Sequence, residues 1–217
     1  MRPSTTTADS NAPSGAAFLG RFQVRAHLGE GGFGSVYRVA DPLRPGVDLA
    51  LKLLHPGRLG RDDKPGGPGA ASRSRAARIL EELRASRAVE HPVVVGALEV
   101  GSLEGSPDAP YLLTELVEGH PLRPPMASAD LSQVAADLLS ALEAIHTAGW
   151  RHGDIQPANV LVRRRESGGW DVSLLDFGLA EEMARPGGAG MKAAGAPRYL
   201  SPEALKRMPL DHRSDLY

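Results

Sequence analysis

Cysteine is absent from the 217 residues, which excludes disulfides, thiolate zinc sites and thiol nucleophiles and fits an intracellular, cytoplasmic chain. Neither sign of charge dominates. The 25 Lys and Arg stand against 26 Asp and Glu, a formal charge of −1, so no overall basic field draws the chain to nucleic acid or anionic lipid. No apolar run approaches the length that spans a bilayer, and the opening MRPSTTTADSNAPSGAA lacks the apolar segment of a secretory leader. The seven histidines show no metal-ligand spacing, and there is no internal repeat. Binding must therefore come from a local site.

Glycine (25) and proline (18) are abundant, and they cluster in the tail at 1–17, around 55–75 and at 184–197. These stretches are too poor in large apolar groups to pack a core. Between them, GRFQVRAHLGEGGFGSVYRVA and DLALKLLH show short apolar runs split by glycines, the pattern of successive antiparallel strands. AARILEELRASRAV carries Ile79, Leu80 and Leu83 on one helical face and stops before Pro92. VVVGALEVG and YLLTELV read as strands. ADLSQVAADLLSALEAIHTAG is the clearest helix: Leu131, Val134, Leu138, Leu142 and Ile145 recur at helical spacing, and Gly149 is placed to end it. NVLV and VSLLDF read as two further strands, and SPEALKRM as a short helix capped by Ser201. A strand-rich half thus precedes a helical half.

Several short motifs carry chemistry. LGEGGFGSV places Gly29, Gly31 and Gly34 ahead of Val36, and strand continues after them, so the backbone of a hairpin can approach phosphate oxygens. Such a triplet also occurs in ordinary hairpins. Lys52 ends an apolar strand and can clamp phosphates if an acid fixes it; an ordinary surface lysine is the alternative. Glu82 is the partner expected, because it borders the Ile79, Leu80 and Leu83 face while Glu81 points nearly opposite. In HGDIQPAN, Asp154 can orient a hydroxyl and accept its proton, and Asn159 can offer a neutral oxygen to Mg²⁺. His152 reads as structural. Asp176, in Asp176-Phe177-Gly178, supplies the carboxylate that a metal contact needs.

Each motif alone is common, but glycine loop, strand lysine, helix glutamate, Asp-x4-Asn, Asp-Phe-Gly and Ser-Pro-Glu occur here in one order at workable spacings. In this ordered set the chain resembles the protein kinases, specifically bacterial Ser/Thr kinases of eukaryotic type, from about Phe18 onward. The resemblance implies an α+β bilobal fold: a disordered tail over 1–17, a small antiparallel-sheet lobe over 18–117 and a helical lobe over 118–217, incomplete at its end. It implies ATP with Mg²⁺ or Mn²⁺ as cofactor and a protein Ser/Thr hydroxyl as acceptor. It also implies that Leu28 belongs to the glycine loop's nucleotide contacts, that Thr114 guards the back of the adenine pocket, that Glu115 and Val117 bind adenine through their backbone, and that Val36, Ala50 and Leu161 sandwich the base. Trp150 and Trp170 read as packing residues.

The sequence departs from the family pattern in three places. Gly153 and Gln156 stand where the catalytic loop usually has an arginine and a lysine, and Ala196 stands where a threonine is usual. The arginine normally pairs with a phosphorylated activation loop, and residues 177–199 contain no serine or threonine. A kinase not switched by Ser/Thr phosphorylation of that loop is therefore expected. The missing lysine would face the γ-phosphate; by analogy with the loss of one preorganised donor its absence costs about 10²–10³ in rate. The chain also reaches only the start of what the resemblance implies is the large lobe's central helix, with Asp215 bracing the catalytic loop, Glu203 short of an arginine partner and apolar surface left uncovered. A fragment and a natural truncation both fit. Two other functions compete with a protein kinase: a nucleotide-binding pseudokinase, favoured by Gln156 and Ala196, and a small-molecule kinase, favoured by His-Gly-Asp but opposed by Asp-Phe-Gly and Ser-Pro-Glu-Ala-Leu.

Overall fold

The computed structural model describes residues 17–31, 34–54, 84–85, 87–104, 106–123, 125–177, 180–183 and 197–217, with side chains excepted at 106–108. The sequence's first half forms a six-stranded antiparallel sheet from β1 (Phe18–Leu19), β2 (Phe22–Glu30), β3 (Gly34–Ala40), β4 (Asp48–Leu54), β5 (Ala97–Leu103) and β6 (Ser106–Glu115), in the order β1-β2-β3-β4-β6-β5. Strand periodicity sorts β4: Leu49 and Leu51 enter a core with Phe22, Val39, Tyr111 and Leu113, while Ala50 and Lys52 take the opposite face. Register places Ala50 opposite Thr114, and Lys52 between Val36 and Leu112. Helical backbone precedes β5 at 84–85 and 87–88. The rest of the helix expected over 76–89, Glu82 included, lies outside the described residues.

After β7 (His120–Pro121), α1 spans Ser128–Thr147. Its end follows the expected chemistry: Gly149 has φ 84, and the N–H groups of Ala148 and Gly149 close on the carbonyls of Ala144 and His146. Val134, Ala141, Leu142 and Ile145 are buried and Leu138 packs beside them, whereas Leu131 is exposed. Leu131 had the right spacing but lies too early. Around it the helix meets the hairpin beneath through polar groups, Asp130 with Arg164 and Gln133 with the Trp170 backbone. Then come β8 (Trp150–Arg151), the hairpin of β9 (Val160–Arg164) and β10 (Trp170–Leu174), β11 (Glu181–Glu182) and the short α2 (Pro202–Leu205), whose first turn is capped by Ser201 Oγ accepting from Ala204 N–H. The second core joins α1, β9 and β10 to Ala85, Val89, Val93, Trp150 and Phe177. Trp150 is packed as expected; Trp170 is half-buried, and its indole N–H finds no acceptor. Among the described residues no helix is long and apolar enough to cross a membrane.

The loop after β8 is held from behind by Asp215, which is buried in a 3₁₀ turn at His212–Asp215. Its carboxylate accepts from the main-chain N–H groups of His152 and Gly153, each at 2.8 Å, and contacts His146 Nε2 at 2.8 Å. Gly153 has φ 81, a backbone state that glycine adopts without strain. His152 is fully buried against Phe177, with Nε2 3.2 Å from the Leu175 carbonyl and Nδ1 accepting from Asp154 N–H at 3.3 Å. Those two partners fit one neutral tautomer, with the proton on Nε2. Glu203 accepts a hydrogen bond from Ser214 Oγ.

Burial lowers the pKa of His152 from its usual 6.5, against the pull of the neighbouring carboxylates. Burial would raise Asp215, but hydrogen bonds from His146 and the two main-chain N–H groups outweigh it and hold its carboxyl below the usual 3.8. Both folded values lie beneath the unfolded ones, so the stability each group contributes is complete above the unfolded value and is lost as pH falls. The thermal midpoint is expected to decline once pH drops below about 6.5 and again below about 3.8; a flat midpoint between pH 7 and 5 would contradict the buried neutral histidine. Asp215→Ala strands the two N–H groups, at about 1–3 kcal/mol for each donor left unsatisfied, measurable by urea unfolding. A glycine pair supplies a second test. A Cβ on Gly34 would lie 2.2 Å from the Leu53 carbonyl oxygen, while one on Gly29 meets nothing within 4 Å. Gly34→Ala should therefore lower the midpoint markedly and Gly29→Ala should not.

Candidate active site

A cavity of about 560 Å³ lies between the six-stranded sheet and the β9–β10 hairpin. Its roof carries Leu28, Gly29, Gly31, Val36 and Ala50, its floor Leu161, and its back wall Thr114, Glu115 and Val117, all of them residues singled out in the sequence. Lys52, Asn159 and Asp176 line its deep end. Gly34 is the exception. It stands outside the lining, and its role is local: its carbonyl accepts from Gly31 N–H at 2.8 Å, closing the turn, and its missing side chain lets β3 approach β4. No atom of the described residues outside their immediate chain neighbours lies within 4 Å of the Cβ positions of Gly29 and Gly31.

Three elements bring the polar groups together. Lys52 arrives from β4, Asp176 from the chain leaving β10 and Asn159 from the 3₁₀ turn Pro157–Asn159. Lys52 Nζ donates directly to Asp176 Oδ1. Asp176 has φ 66, an unusual state for a non-glycine residue. Phe177, next in the chain, is buried beside His152. A pair of aligned contacts, Val95 N–H to the Leu174 carbonyl and Leu174 N–H to the Val93 carbonyl, ties the chain that leads into β5 to β10 just before Asp176.

Asp154 lies just beyond the cavity lining and joins it through Asn159, whose Nδ2 donates to the Asp154 main-chain oxygen at 2.9 Å and to Oδ2 at 2.8 Å. The Asn159 carboxamide therefore turns its oxygen away from Asp154. Gln156 reaches the same carboxylate, with Nε2 2.9 Å from both oxygens. The neutral amide that stands here in place of a lysine is thus turned to the carboxylate two residues earlier. The described residues hold no group of three His, Cys, Asp or Glu side chains placed for a metal. Asn159 and Asp176 nonetheless suit a hard cation that keeps several waters, which needs only one or two protein oxygens. Among the lining residues, Glu30, Val95, Ala97, Leu112, Leu116, Gly119, Pro121, Ala158, Leu175 and Phe177 were not singled out as ligand contacts. Strand alternation from Thr114 would have found Leu112; the others required the tertiary fold.

Comparison with known proteins agrees with this geometry. The protein kinase domain family matches residues 22–217. The chain is 36% identical over 217 residues to serine/threonine-protein kinase pkn2 of Myxococcus xanthus, an alignment covering 95% of this chain and 24% of that protein. It is 32% identical to serine/threonine-protein kinase pkn3 of the same organism, over 97% of this chain and 38% of that one. The chain thus spans well under half the length of these curated relatives. Among solved structures, a double mutant of the Mycobacterium tuberculosis PknI kinase domain aligns with TM-score 0.64 over 94% of this chain and 73% of that one, at 23% identity, a likeness of fold. On the match of residues 22–217 and the identity to these relatives, the chain belongs to the protein kinase domain family, in its bacterial Ser/Thr branch of eukaryotic type.

Proposed function

We propose that the protein transfers the γ-phosphate of Mg²⁺–ATP to a serine or threonine hydroxyl of a protein substrate. The observation that carries this reading is the convergence of Lys52, Asn159 and Asp176 on one cavity, with Asp154 hydrogen-bonded to Asn159 at its edge. Adenine occupies the apolar part between Val36, Ala50 and Leu161, against the backbone of Glu115 and Val117. The triphosphate lies under Gly29 and Gly31, with Lys52 on its α- and β-phosphates. Asn159 and Asp176 would hold the metal ion, which supplies charge neutralisation for the phosphates. In the transfer, the substrate hydroxyl oxygen bonds to the γ-phosphorus as the bond from that phosphorus to the bridging oxygen breaks. ADP leaves with the electron pair, and the hydroxyl proton passes to the Asp154 carboxylate.

Asp154 in contact with Asn159, and Asp176 paired with Lys52 on the same cavity, favour this reading over a pseudokinase. The apolar, hinge-backed cavity serves both. Transfer of labelled phosphate from Mg²⁺–ATP to a Ser/Thr protein substrate, with Asp154→Asn beside the wild type, separates them. Asp154→Asn should reduce transfer by about 10²–10⁴-fold, the usual contribution of a positioned proton acceptor; equal, negligible transfer by both proteins would leave only nucleotide binding. Label appearing on aminoglycosides or choline rather than on protein would identify a small-molecule kinase. We further propose that the site works without Ser/Thr phosphorylation of its activation loop. Treatment of the active protein with a phosphatase specific for phosphoserine and phosphothreonine should leave its rate unchanged, and a loss of activity would overturn this.

A further inference from the structure

The environment of Asp154 carries an inference that deepens the kinase reading and rests on it. A carboxylate only accepts hydrogen bonds, so the Gln156 carboxamide must turn its nitrogen toward Asp154, and the neighbour itself fixes which end points where. The backbone supports that orientation. Gln156 is extended at φ −154 and ψ 156, the region that Pro157 imposes on the residue before it. Asn159 then contacts Oδ2 from its own turn, so two neutral amides hold the carboxylate, at 2.9 Å to each oxygen from Gln156 and 2.8 Å from Asn159.

We propose that Gln156 is a positioning residue: it orients the Asp154 carboxylate by neutral hydrogen bonding, at a position where the family resemblance implies a cation. Orientation and charge are thereby separated. A lysine in this place would aim the carboxylate and also offset the charge of the transferring phosphoryl group. Gln156 does only the first, and leaves Asp154 with its full negative charge as a proton acceptor. Among the described residues that line the cavity, Lys52 is the cationic side chain.

The test uses Gln156→Glu, which keeps the shape and replaces the amide donor by a carboxyl group against Asp154. Two carboxylates at this distance cannot both ionise easily and retain one shared proton. At low pH the protonated Glu donates as the amide does; at high pH the two groups repel and the carboxylate turns away. The expected result is a kcat that falls as pH rises across about pH 5–8 in the variant and does not in the wild type, with KM for ATP changed less than about threefold. His152, Asp176 and Asp215 are the other titratable groups around this loop, and all are retained in the variant. Gln156→Ala should lower kcat by about tenfold at every pH, and Gln156→Lys should restore it and raise it by at least about tenfold above wild type. Parallel pH profiles for Gln156→Glu and wild type would overturn the proposal. If wild type and Asp154→Asn transfer equally little phosphate, the kinase reading fails separately. Carboxyl ¹³C titration of Gln156→Glu then still reads the contact: a shared proton leaving well above the ordinary glutamate value of about 4.3 supports it, and two independent ordinary titrations overturn it.

Discussion

The ion pair between Lys52 and Asp176 spans the cavity and joins two hydrophobic cores that are otherwise built separately. Lys52 belongs to a strand whose alternate residues, Leu49 and Leu51, anchor the sheet's core; Asp176 is flanked by Leu174 and Phe177, both buried in the helical half. Each charged group is thus fixed by an apolar neighbour that cannot move without opening a core. The cleft's polar geometry is therefore a consequence of packing on both sides of it. The paired strand contacts at Val93, Val95 and Leu174 brace the same junction from the rear.

The second constraint is Asp215, a buried carboxylate that accepts from two consecutive main-chain N–H groups. Meeting both donors bends the backbone at residue 153 to φ 81. That state is strained for any residue with a Cβ and nearly free for glycine. The absence of arginine at 153 thus has a local backbone rationale as well as an electrostatic one. A site with no Ser or Thr in residues 177–199 has no phosphate of that kind for an arginine to bind, and glycine relaxes the turn that Asp215 demands.

Much of this was legible because the informative residues are local in sequence. A short apolar run identified β4, the 3.6-residue period identified α1, and Gly149 marked its end. Twelve of the cavity residues named here, from Leu28 to Asp176, follow from motif order once the family resemblance is in view. What stayed hidden depends on long-range contacts. Arg21, Asp41, Arg44, Glu99 and Tyr111 form one ionic and hydrogen-bonded cluster on the sheet, with partners as far as 78 residues apart and no motif to announce them. There, burial pushes Asp41 and Glu99 upward, and the hydrogen bonds from Arg21, Arg44, Tyr111 and the Leu43 N–H bring both below the usual carboxylate range. Gly101 is equally opaque: a Cβ there would meet the Tyr111 hydroxyl at 2.6 Å, so its small size serves a ring that comes from the neighbouring strand. The contact of Gln156 with Asp154 is short in sequence yet was not foreseen, because motif comparison reads the position by the lysine it lacks rather than by the acceptors near the residue present.

Charge balance explains why such a replacement is compatible with a phosphate site. Among the lining residues Lys52 is accompanied by three carboxylates, Glu30, Glu115 and Asp176. Side chains alone therefore do not make the cavity electropositive, and a nucleotide triphosphate entering it adds further negative charge. On the kinase reading, the balance must come from the cation that accompanies the nucleotide and from backbone N–H groups of the glycine loop, both of which approach the phosphates without passing residue 156. A neutral Gln156 then leaves nucleotide binding largely intact. Its cost falls on the transfer step, when charge develops between the γ-phosphorus and the hydroxyl that Asp154 orients. Binding and turnover are separable at this position for that reason, and a substitution there acts chiefly on the rate.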